Sequence, residues 1–332
     1  MNCLICLKPI TGGKFTQYHG GCLDRMFGSR KLNLELAESR SDLVRAMPRQ
    51  THGFSISGVQ MKAQMAVQSG RLQLVDNGGQ FIVKPSPEEY PFVAENEHAT
   101  LTLMSKVGFP VPHCGLIKLK DGHLVFAIRR YDRDLEEGGK LHQEDAMQAL
   151  GISNSDSSNK YTAASYQTVL EMVNTNAGAA VAMELLERLV FSYLVGNDDH
   201  HLKNISFLHE PLFKLTPGYD VLASSLYSSR ADSPMALKML SDGEPEYYGT
   251  MGNGYYSGSD FVELGTKAGL REATARKRVA GVANRVEKFA PDILEASFMP
   301  DDMKARYQDL VVDRLRFVRE LKAHSSLTNF IR

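Results

Sequence analysis

The feature that most constrains this chain is a short polar segment placed directly after an apolar one. Residues 198–204, DDHHLKN, contain six ionisable or amide side chains, and residues 179–195 before them have the apolar periodicity of a helix. Such groups are costly to bury unless they serve a task. We therefore predict a functional loop that begins where a buried helix ends.

The spacing within this loop indicates its chemistry. Asp199 and Asn204 have the Asp-x-x-x-x-Asn spacing of a protein-kinase catalytic loop, in which the Asp accepts the proton of the substrate hydroxyl and the Asn binds magnesium. Asp220 follows after a strand-like stretch, where a second oxygen ligand for the metal is expected. The alternative is a polar helix C-terminus in which His200 and His201 are merely structural.

A lysine and a glycine-containing turn upstream extend the pattern. Lys84 ends a predicted strand, and the helix that follows offers Glu95 or Glu97 to orient its ammonium group; we favour Glu97. Residues 55–62, SISGVQMK, form a small-residue turn whose backbone N–H groups suit phosphates. Lys84 alone also fits a protective edge-strand lysine, and the serines of the turn also fit ordinary turn formers.

Hydrophobic periodicity predicts an α+β fold with an antiparallel small lobe and a mainly helical large lobe. We expect strands over residues 54–60, 72–75, 80–84, 115–120 and 123–129, with a helix over 95–107 between the third and fourth. We expect large-lobe helices over residues 165–174, 179–195, 260–268, 272–290 and 301–321. The predicted domains are a small N-terminal module (1–30), the small lobe (31–132) and the large lobe (133–332).

Charge and composition limit the classes of binding partner and the cellular compartment that we expect. The 332 residues include 38 Lys and Arg against 39 Asp and Glu, a balance that gives no electrostatic case for direct binding to nucleic acid or membrane. No apolar run approaches the roughly 20 residues of a membrane helix, and the N-terminus lacks the pattern of a signal peptide. We therefore expect a cytoplasmic protein with reduced cysteines.

Three of the four cysteines lie in a metal-binding pattern near the N-terminus. Cys3 and Cys6 form C-x2-C, and His19 and Cys22 form H-x2-C twelve residues later, with a glycine-rich stretch between the pairs. This spacing predicts a zinc-knuckle-like module with a structural Zn²⁺. The alternative is a set of small buried side chains, which is how we interpret Cys114.

Six segments in a fixed order resemble the HipA-family kinases, and within that family most closely the short HipT form. They are SISGVQMK, FIVKPSPEEYPFVAENEHATLTLM, AIRRYDRD, LHQEDAMQAL, GNDDHHLKN and LTPGYDV. The resemblance covers most of the chain and implies a bilobal, protein-kinase-like fold. It implies an ATP- and Mg²⁺-dependent protein serine/threonine kinase with Asp199 as the base, Asn204 and Asp220 as magnesium ligands, and Lys84 at the ATP.

From these motifs we expect eleven residues at the nucleotide: Lys84, Glu97, Ser55, Ser57, Gly58, Gln60, Lys62, Arg130, Tyr131, His201 and Lys203. The resemblance also implies that Ser55 and Ser57 are autophosphorylation sites that switch activity off. A dianion in the phosphate-binding turn would repel the phosphates of ATP, which makes such a switch physically reasonable.

The resemblance implies partners as well. The substrates of the family are aminoacyl-tRNA synthetases, and the HipT form belongs to three-component HipB–HipS–HipT toxin–antitoxin systems. We therefore expect a HipS-like small protein, which supplies the N-terminal subdomain of HipA, and a HipB-like DNA-binding protein. Two alternatives stay open: a small-molecule kinase that uses the same site, and a degenerate kinase that acts as a scaffold in an antitoxin complex.

Overall fold

The computed structural model describes residues 1–11, 17–32, 34, 36, 38–46, 61–133, 139–209, 213–227 and 233–320. An antiparallel sheet with one long helix against it precedes a mainly helical part, so the predicted α+β class is confirmed. One continuous apolar core runs from the N-terminal segment through the sheet into the helices. Among the described residues, no helix has the length and apolar character needed to span a bilayer.

The small lobe is built on a five-stranded antiparallel sheet with the order β2-β1-β3-β5-β4. The strands are β1 (Ala63–Gln68), β2 (Arg71–Leu74), β3 (Phe81–Pro85), β4 (Cys114–Lys118) and β5 (Leu124–Arg129). β3 is central and pairs with β1 and β5, which positions Lys84 opposite Phe126. The strand predicted over residues 54–60 lies outside the described residues, and β1 was not predicted.

Helix α3 (Val93–Val107) lies between the sheet and the large lobe. It begins after Phe92, whose backbone is left-handed (φ 62°), and Ser86 Oγ accepts a hydrogen bond from the Ala94 N–H at 3.0 Å. It ends at Gly108, whose φ of 107° few other residues adopt. Both hydrophobic and polar residues of this helix are buried, because it packs on β4 and β5 on one side and on the large lobe on the other.

The large lobe consists mainly of helices; five of the six named here overlap the predicted ranges, whereas the helix over Glu246–Met251 was not predicted. The six are α6 (Tyr166–Ala177), α7 (Ala179–Leu194), α8 (Glu246–Met251), α9 (Gly258–Lys267), α10 (Glu272–Ala296) and α11 (Asp301–Val318). α10 packs against α7, α9 and α11 and also against α3, so it joins the two lobes. Its predicted end at residue 290 is wrong, because the helix continues through Pro291 and buries Ile293 and Leu294.

A second, three-stranded sheet supports the polar loop. It has the order β6-β7-β8 and consists of β6 (Gln143–Asp145), β7 (Ser206–Leu208) and β8 (Lys214–Leu215). Two short helices precede α6, namely α4 (Ala146–Ala149) and α5 (Asn159–Thr162). The loop between α7 and β7 is therefore held by a helix at one end and by a paired strand at the other.

The N-terminal segment contains α1 (Gly20–Phe27) and α2 (Arg40–Ala46), neither of which was predicted. It packs against the small lobe: Leu4 O accepts a hydrogen bond from Leu116 N at 2.7 Å, and the Phe27 and Phe81 ring centroids are 5.0 Å apart. Its buried leucines belong to the same core as the sheet. The domain boundaries at residues 30 and 132 stay predictions.

Candidate active site

The polar loop begins at a sharp turn after α7. Gly196 has a φ of 74°, and a Cβ at this position would lie 2.9 Å from Ser225 Oγ and 3.0 Å from Leu310 side-chain carbons. The backbone N–H of Asn197 then bonds to Ser192 O at 2.9 Å, which ends the helix. Glycine is required at this turn because both the backbone angle and the close approach exclude a side chain.

Asp199 is buried at the centre of the loop and is held from two sides. Its Oδ1 accepts a hydrogen bond of 2.6 Å from the Tyr161 hydroxyl, and its backbone carbonyl accepts one of 2.9 Å from Asn204 Nδ2. Because the amide nitrogen of Asn204 makes this bond, its Oδ1 is the atom that suits a metal ion. The predicted pair of Asp199 and Asn204 is therefore brought together by direct contact.

Lys84 joins three segments of the chain. Its Nζ donates to Glu97 Oε1 on α3 at 2.6 Å and also contacts Asp220 Oδ1, which lies on the segment after β8. All three side chains are largely buried. The backbone of Asp220 is left-handed, with a φ of 51°, a strained conformation of the kind that clusters at functional sites. The contact predicted between Lys84 and Glu97 is thus present.

The ion pairs set the charges in this network. Burial by itself would raise the pKa of Asp220, but the neighbouring Lys84 and Lys62 lower it to about 2. Burial raises the pKa of Glu97 to about 7, although Lys84 opposes that shift. Burial also disfavours a charged Lys84, yet Asp220 and Glu97 outweigh it and raise the lysine pKa. At neutral pH the site therefore contains a charged Lys84 and an ionised Asp220.

A cavity of about 340 Å³ opens between these residues and the connection of the two lobes. Its lining includes Ile82, Lys84, Ile128, Tyr131, Tyr219 and Asp220. Two aliphatic and two aromatic side chains therefore provide apolar surface, and charged side chains, among them Lys84 and Asp220, line the rest of the cavity. Small-molecule sites commonly combine apolar surface with a few placed polar groups in this way.

Arg130 and Tyr131, two of the predicted nucleotide contacts, also line the cavity. Arg130 forms a two-pronged ion pair with Asp132, with Nε to Oδ1 at 2.9 Å and Nη2 to Oδ2 at 2.6 Å. The Tyr131 hydroxyl donates to Gln143 Oε1 at 2.7 Å, and its ring centroid lies 6.1 Å from that of Tyr219. Arg130 is therefore held in place by a structural partner within the cavity wall.

The two histidines of the loop differ in their surroundings. His200 Nδ1 contacts Ser192 Oγ at 2.8 Å, whereas both ring nitrogens of His201 are buried and have no hydrogen-bond partner among the described residues. Burial lowers the pKa of both imidazoles to about 3, so both are neutral near pH 7. Buried polar atoms without partners mark places where a ligand or water binds. His201 therefore stays a predicted nucleotide contact.

The remaining predicted contacts have separate outcomes. Lys62 lines the cavity, and Lys203 Nζ donates to Asn154 Oδ1 at 2.5 Å on the exposed side of the loop. The residues of the phosphate-binding turn lie outside the described residues: Ser55, Ser57, Gly58 and Gln60.

Two residues that contact the site were not predicted from the sequence. Tyr161, on α5, contacts Asp199. Asn96 makes hydrogen bonds to both the N–H and the carbonyl of Ala223, which lies three residues beyond Asp220. Asn96 Nδ2 donates to Ala223 O at 3.1 Å, and Ala223 N donates to Asn96 Oδ1 at 2.8 Å. Both residues act through tertiary contacts, although Asn96 sits within the helix that carries Glu97.

Comparison with known proteins decides the family. The family model described as HipA-like C-terminal domain matches residues 54–290, which is more than half of the chain. The chain belongs to the HipA-like family. A curated relative of this HipA-like chain, named a putative kinase of Haemophilus influenzae, is 34% identical to it over 320 residues. The alignment covers 90% of this chain and 92% of the relative.

Two further relatives carry the HipA name. The serine/threonine-protein kinase toxin HipA of Shewanella oneidensis is 27% identical to the HipA-like chain over 213 residues, which are 58% of this chain and 47% of the relative. The solved Shewanella oneidensis complex of HipA, HipB and operator DNA contains a chain with a TM-score of 0.65 and 19% identity. The match covers 87% of the HipA-like chain and 74% of that structure, so the predicted HipA-like bilobal fold is confirmed.

Proposed function

We propose that this HipA-like chain is an ATP- and Mg²⁺-dependent protein serine/threonine kinase. The observation that carries the proposal is the junction of Lys84, Glu97 and Asp220 beside a cavity that combines apolar and charged lining residues. Kinases need this lysine–glutamate pair and a metal-binding aspartate in place at the same time. The relatives named as kinases support the same reaction class.

The residues of the chain supply positioning and proton transfer. Lys84, held by Glu97, would bind the phosphates of ATP, while Asp199 would orient the serine hydroxyl and accept its proton. The Tyr161 hydroxyl, bonded to Asp199 Oδ1, would fix the direction of that carboxylate. The transferred phosphoryl group leaves ADP and joins the serine oxygen, while the hydroxyl proton passes to Asp199.

Asn204 and Asp220 fit the requirements of a magnesium site. Asn204 offers its amide oxygen, and Asp220 stays ionised because nearby lysines lower its pKa to about 2. Both are the hard oxygen ligands that Mg²⁺ prefers. When bound, Mg²⁺ would neutralise charge on the phosphates and so favour their transfer.

The finer parts of the proposal rest on the resemblance and on the relatives. We propose that the chain is the toxin of a HipBST-like toxin–antitoxin system, with HipS-like and HipB-like partners. The Shewanella oneidensis HipA was solved together with HipB and its operator DNA, which supports a DNA-binding partner. We further propose that the substrate is a serine of a protein such as an aminoacyl-tRNA synthetase, and that Ser55 and Ser57 are autophosphorylated.

The deciding test is intact-mass spectrometry of wild type and Asp199→Asn after incubation with ATP and Mg²⁺, followed by peptide mapping of residues 53–62. We expect wild type to gain phosphate on Ser55 or Ser57 and the Asp199→Asn variant to gain none. Asp198→Asn is a matched control, because an asparagine there still accepts the hydrogen bond that Ser224 Oγ gives to Asp198.

Phosphate in the Asp199→Asn protein would contradict the assignment of the base. A wild-type chain that binds ATP without labelling any protein would favour a small-molecule substrate. Failure to bind ATP with Mg²⁺ would instead favour the scaffold.

A further inference from the structure

Four side chains near the N-terminus bring their ligand atoms together. The sulfur atoms of Cys3, Cys6 and Cys22 and a ring nitrogen of His19 all lie within 4.8 Å of one another. Cys3 and Cys6 lie on one tight turn, while His19 and Cys22 lie at the start of α1. Cys3 and Cys22 are buried, and all three cysteines are free thiols. The cluster thus combines two separate chelating pairs.

The imidazole of His19 is oriented for metal binding. Its Nε2 lies 3.2 Å from Pro9 O, a carbonyl that can only accept, so Nε2 carries the proton and Nδ1 has a free lone pair. That Nδ1 lies 3.3 Å from Cys6 Sγ and 4.0 Å from Cys22 Sγ. Metal-binding histidines typically use their second nitrogen in this way.

The distances fit a tetrahedral zinc site. Zn–S bonds of about 2.3 Å and Zn–N bonds of about 2.0 Å at a tetrahedral angle separate sulfur from nitrogen by about 3.5 Å, which lies between the two observed distances. Three thiolates and one imidazole form a ligand set that binds Zn²⁺ in preference to harder cations such as Mg²⁺.

Two donors near the cluster stabilise thiolate charge. The backbone N–H of His19 points to Cys3 Sγ at 3.4 Å, and Arg25 Nη2 points to Cys22 Sγ at 3.4 Å. Leu7, directly after Cys6, is held in a left-handed conformation with a φ of 60°. Such strain persists only where the surroundings fix the backbone firmly, and a bound metal would do so.

The turn between Cys3 and Cys6 is fastened to the small lobe by its own backbone. Leu4 O accepts a hydrogen bond from Leu116 N on β4 at 2.7 Å, and Ile5 O accepts one from His98 Nε2 on α3 at 2.9 Å. β4 approaches so closely that a Cβ at Gly115 would lie 2.7 Å from Ile5 Cγ1. The two residues between the first chelating pair therefore support both β4 and α3.

We propose that Cys3, Cys6, His19 and Cys22 bind one structural Zn²⁺ and that this metal holds the turn at Leu4 and Ile5 against α3. His98, which bonds Ile5, is the neighbour of Glu97, so the zinc module supports the helix that orients Lys84. The link to phosphoryl transfer rests on the proposed function, whereas metal binding and the support of α3 do not.

The first test measures metal content. Protein expressed with zinc and purified without chelator should contain one zinc per chain by inductively coupled plasma mass spectrometry. Its Co²⁺-substituted form should show the visible absorption bands of tetrahedral thiolate coordination. Cys22→Ser should lose the metal. Cys114→Ser is the matched control and should keep it, since Cys114 lies outside the cluster. A wild-type chain without stoichiometric zinc that also fails to give the Co²⁺ bands overturns the site.

The second test measures hydrogen exchange of the full chain with and without zinc, in the absence of ATP. Zinc removal should raise amide exchange in α3 and β4 at least tenfold and leave α9 unchanged. His98→Leu should raise exchange in α3 with zinc still bound, whereas His98→Gln, which keeps a donor near Ile5 O, should not. Unchanged exchange in α3 after zinc loss overturns the supporting role. Normal zinc and exchange results without phosphoryl transfer would instead reject the proposed kinase activity alone.

Discussion

Glu95 and Glu97 lie two residues apart on α3, and both are buried, but their surroundings differ. Glu97 binds Lys84, whereas Glu95 has no cationic partner among the described residues, and its Oε2 has no hydrogen bond there. Burial raises the pKa of Glu95 from 4.5 to about 7. The preference for Glu97 as the partner of Lys84 agrees with the structure, although spacing alone did not distinguish it strongly from Glu95.

The pKa of Glu95 predicts how stability depends on pH. Between pH 4.5 and about 7 the folded chain retains a proton that the unfolded chain releases, so this residue makes the free energy of unfolding fall as pH rises. This difference in pKa between the unfolded and the folded chain corresponds to about 3 kcal/mol of unfolding free energy. Glu95→Gln should remove the effect and gain stability relative to wild type at pH 8 but not at pH 4.5.

Urea unfolding of both proteins at several pH values checks this prediction, because other titrating groups cancel in the difference. Glu295→Gln changes an exposed glutamate on α10 and serves as the control, with no pH-dependent difference expected. A constant difference between Glu95→Gln and wild type across this pH range would contradict the assignment.

At the scale of elements, helix α3 makes side-chain contacts with several different segments of the chain. Successive residues serve different neighbours: Asn96 bonds Ala223, Glu97 binds Lys84, His98 bonds Ile5, and the Thr100 hydroxyl lies 2.8 Å from that of Tyr307. One helix therefore connects the N-terminal segment, the sheet and the large lobe. Polar contacts on several faces of a helix cannot be predicted from its apolar stripe alone.

Asn96→Ala should destabilise the chain and weaken ATP binding. The change leaves the buried N–H and C=O of Ala223 without partners, which costs about 2–4 kcal/mol in total. Because Ala223 follows Asp220 closely, we expect weaker Mg²⁺-dependent ATP binding as well. Calorimetric titration with ATP and urea unfolding measure the two effects.

Asn174→Ala is the comparison for this experiment. It removes one asparagine-to-carbonyl bond, to Ala268 O at 3.1 Å, between two residues that do not line the cavity. It should reduce stability by a smaller amount and leave ATP affinity unchanged. Equal losses of ATP affinity in both variants would argue that α3 has no particular connection to the site.

The sequence predicted the elements whose pattern is local and missed the contacts that only the folded chain creates. The helix over residues 95–107 and the loop around Asp199 were predicted, because apolar spacing and motif order specify them. The continuation of α10 past Pro291 was missed, since a proline favours a helix end. The burial of Ile293 and Leu294 outweighs that preference. Tyr161 carries no motif and is brought to Asp199 only by the tertiary fold.

At the scale of the whole molecule, the lobes share one apolar core and are joined by α10. We therefore expect them to unfold together, although many chains of this length unfold in stages. Hydrogen exchange in increasing urea should give the same opening free energy for amides of β5 in the small lobe and of α7 in the large lobe. Opening of β5 at clearly lower urea than α7 would show that the lobes unfold independently.

The position of α3 also has a consequence for inhibitor discovery. A compound that reached past Lys84 would have to swing the helix that bears Glu97 away from that lysine. Here Asn96 and Thr100 fasten that helix to the large lobe, and His98 fastens it to the N-terminal segment. Displacing it means breaking contacts on several sides at once. Compounds that bind in the cavity beside Tyr131 and leave this helix in place are therefore the better starting point.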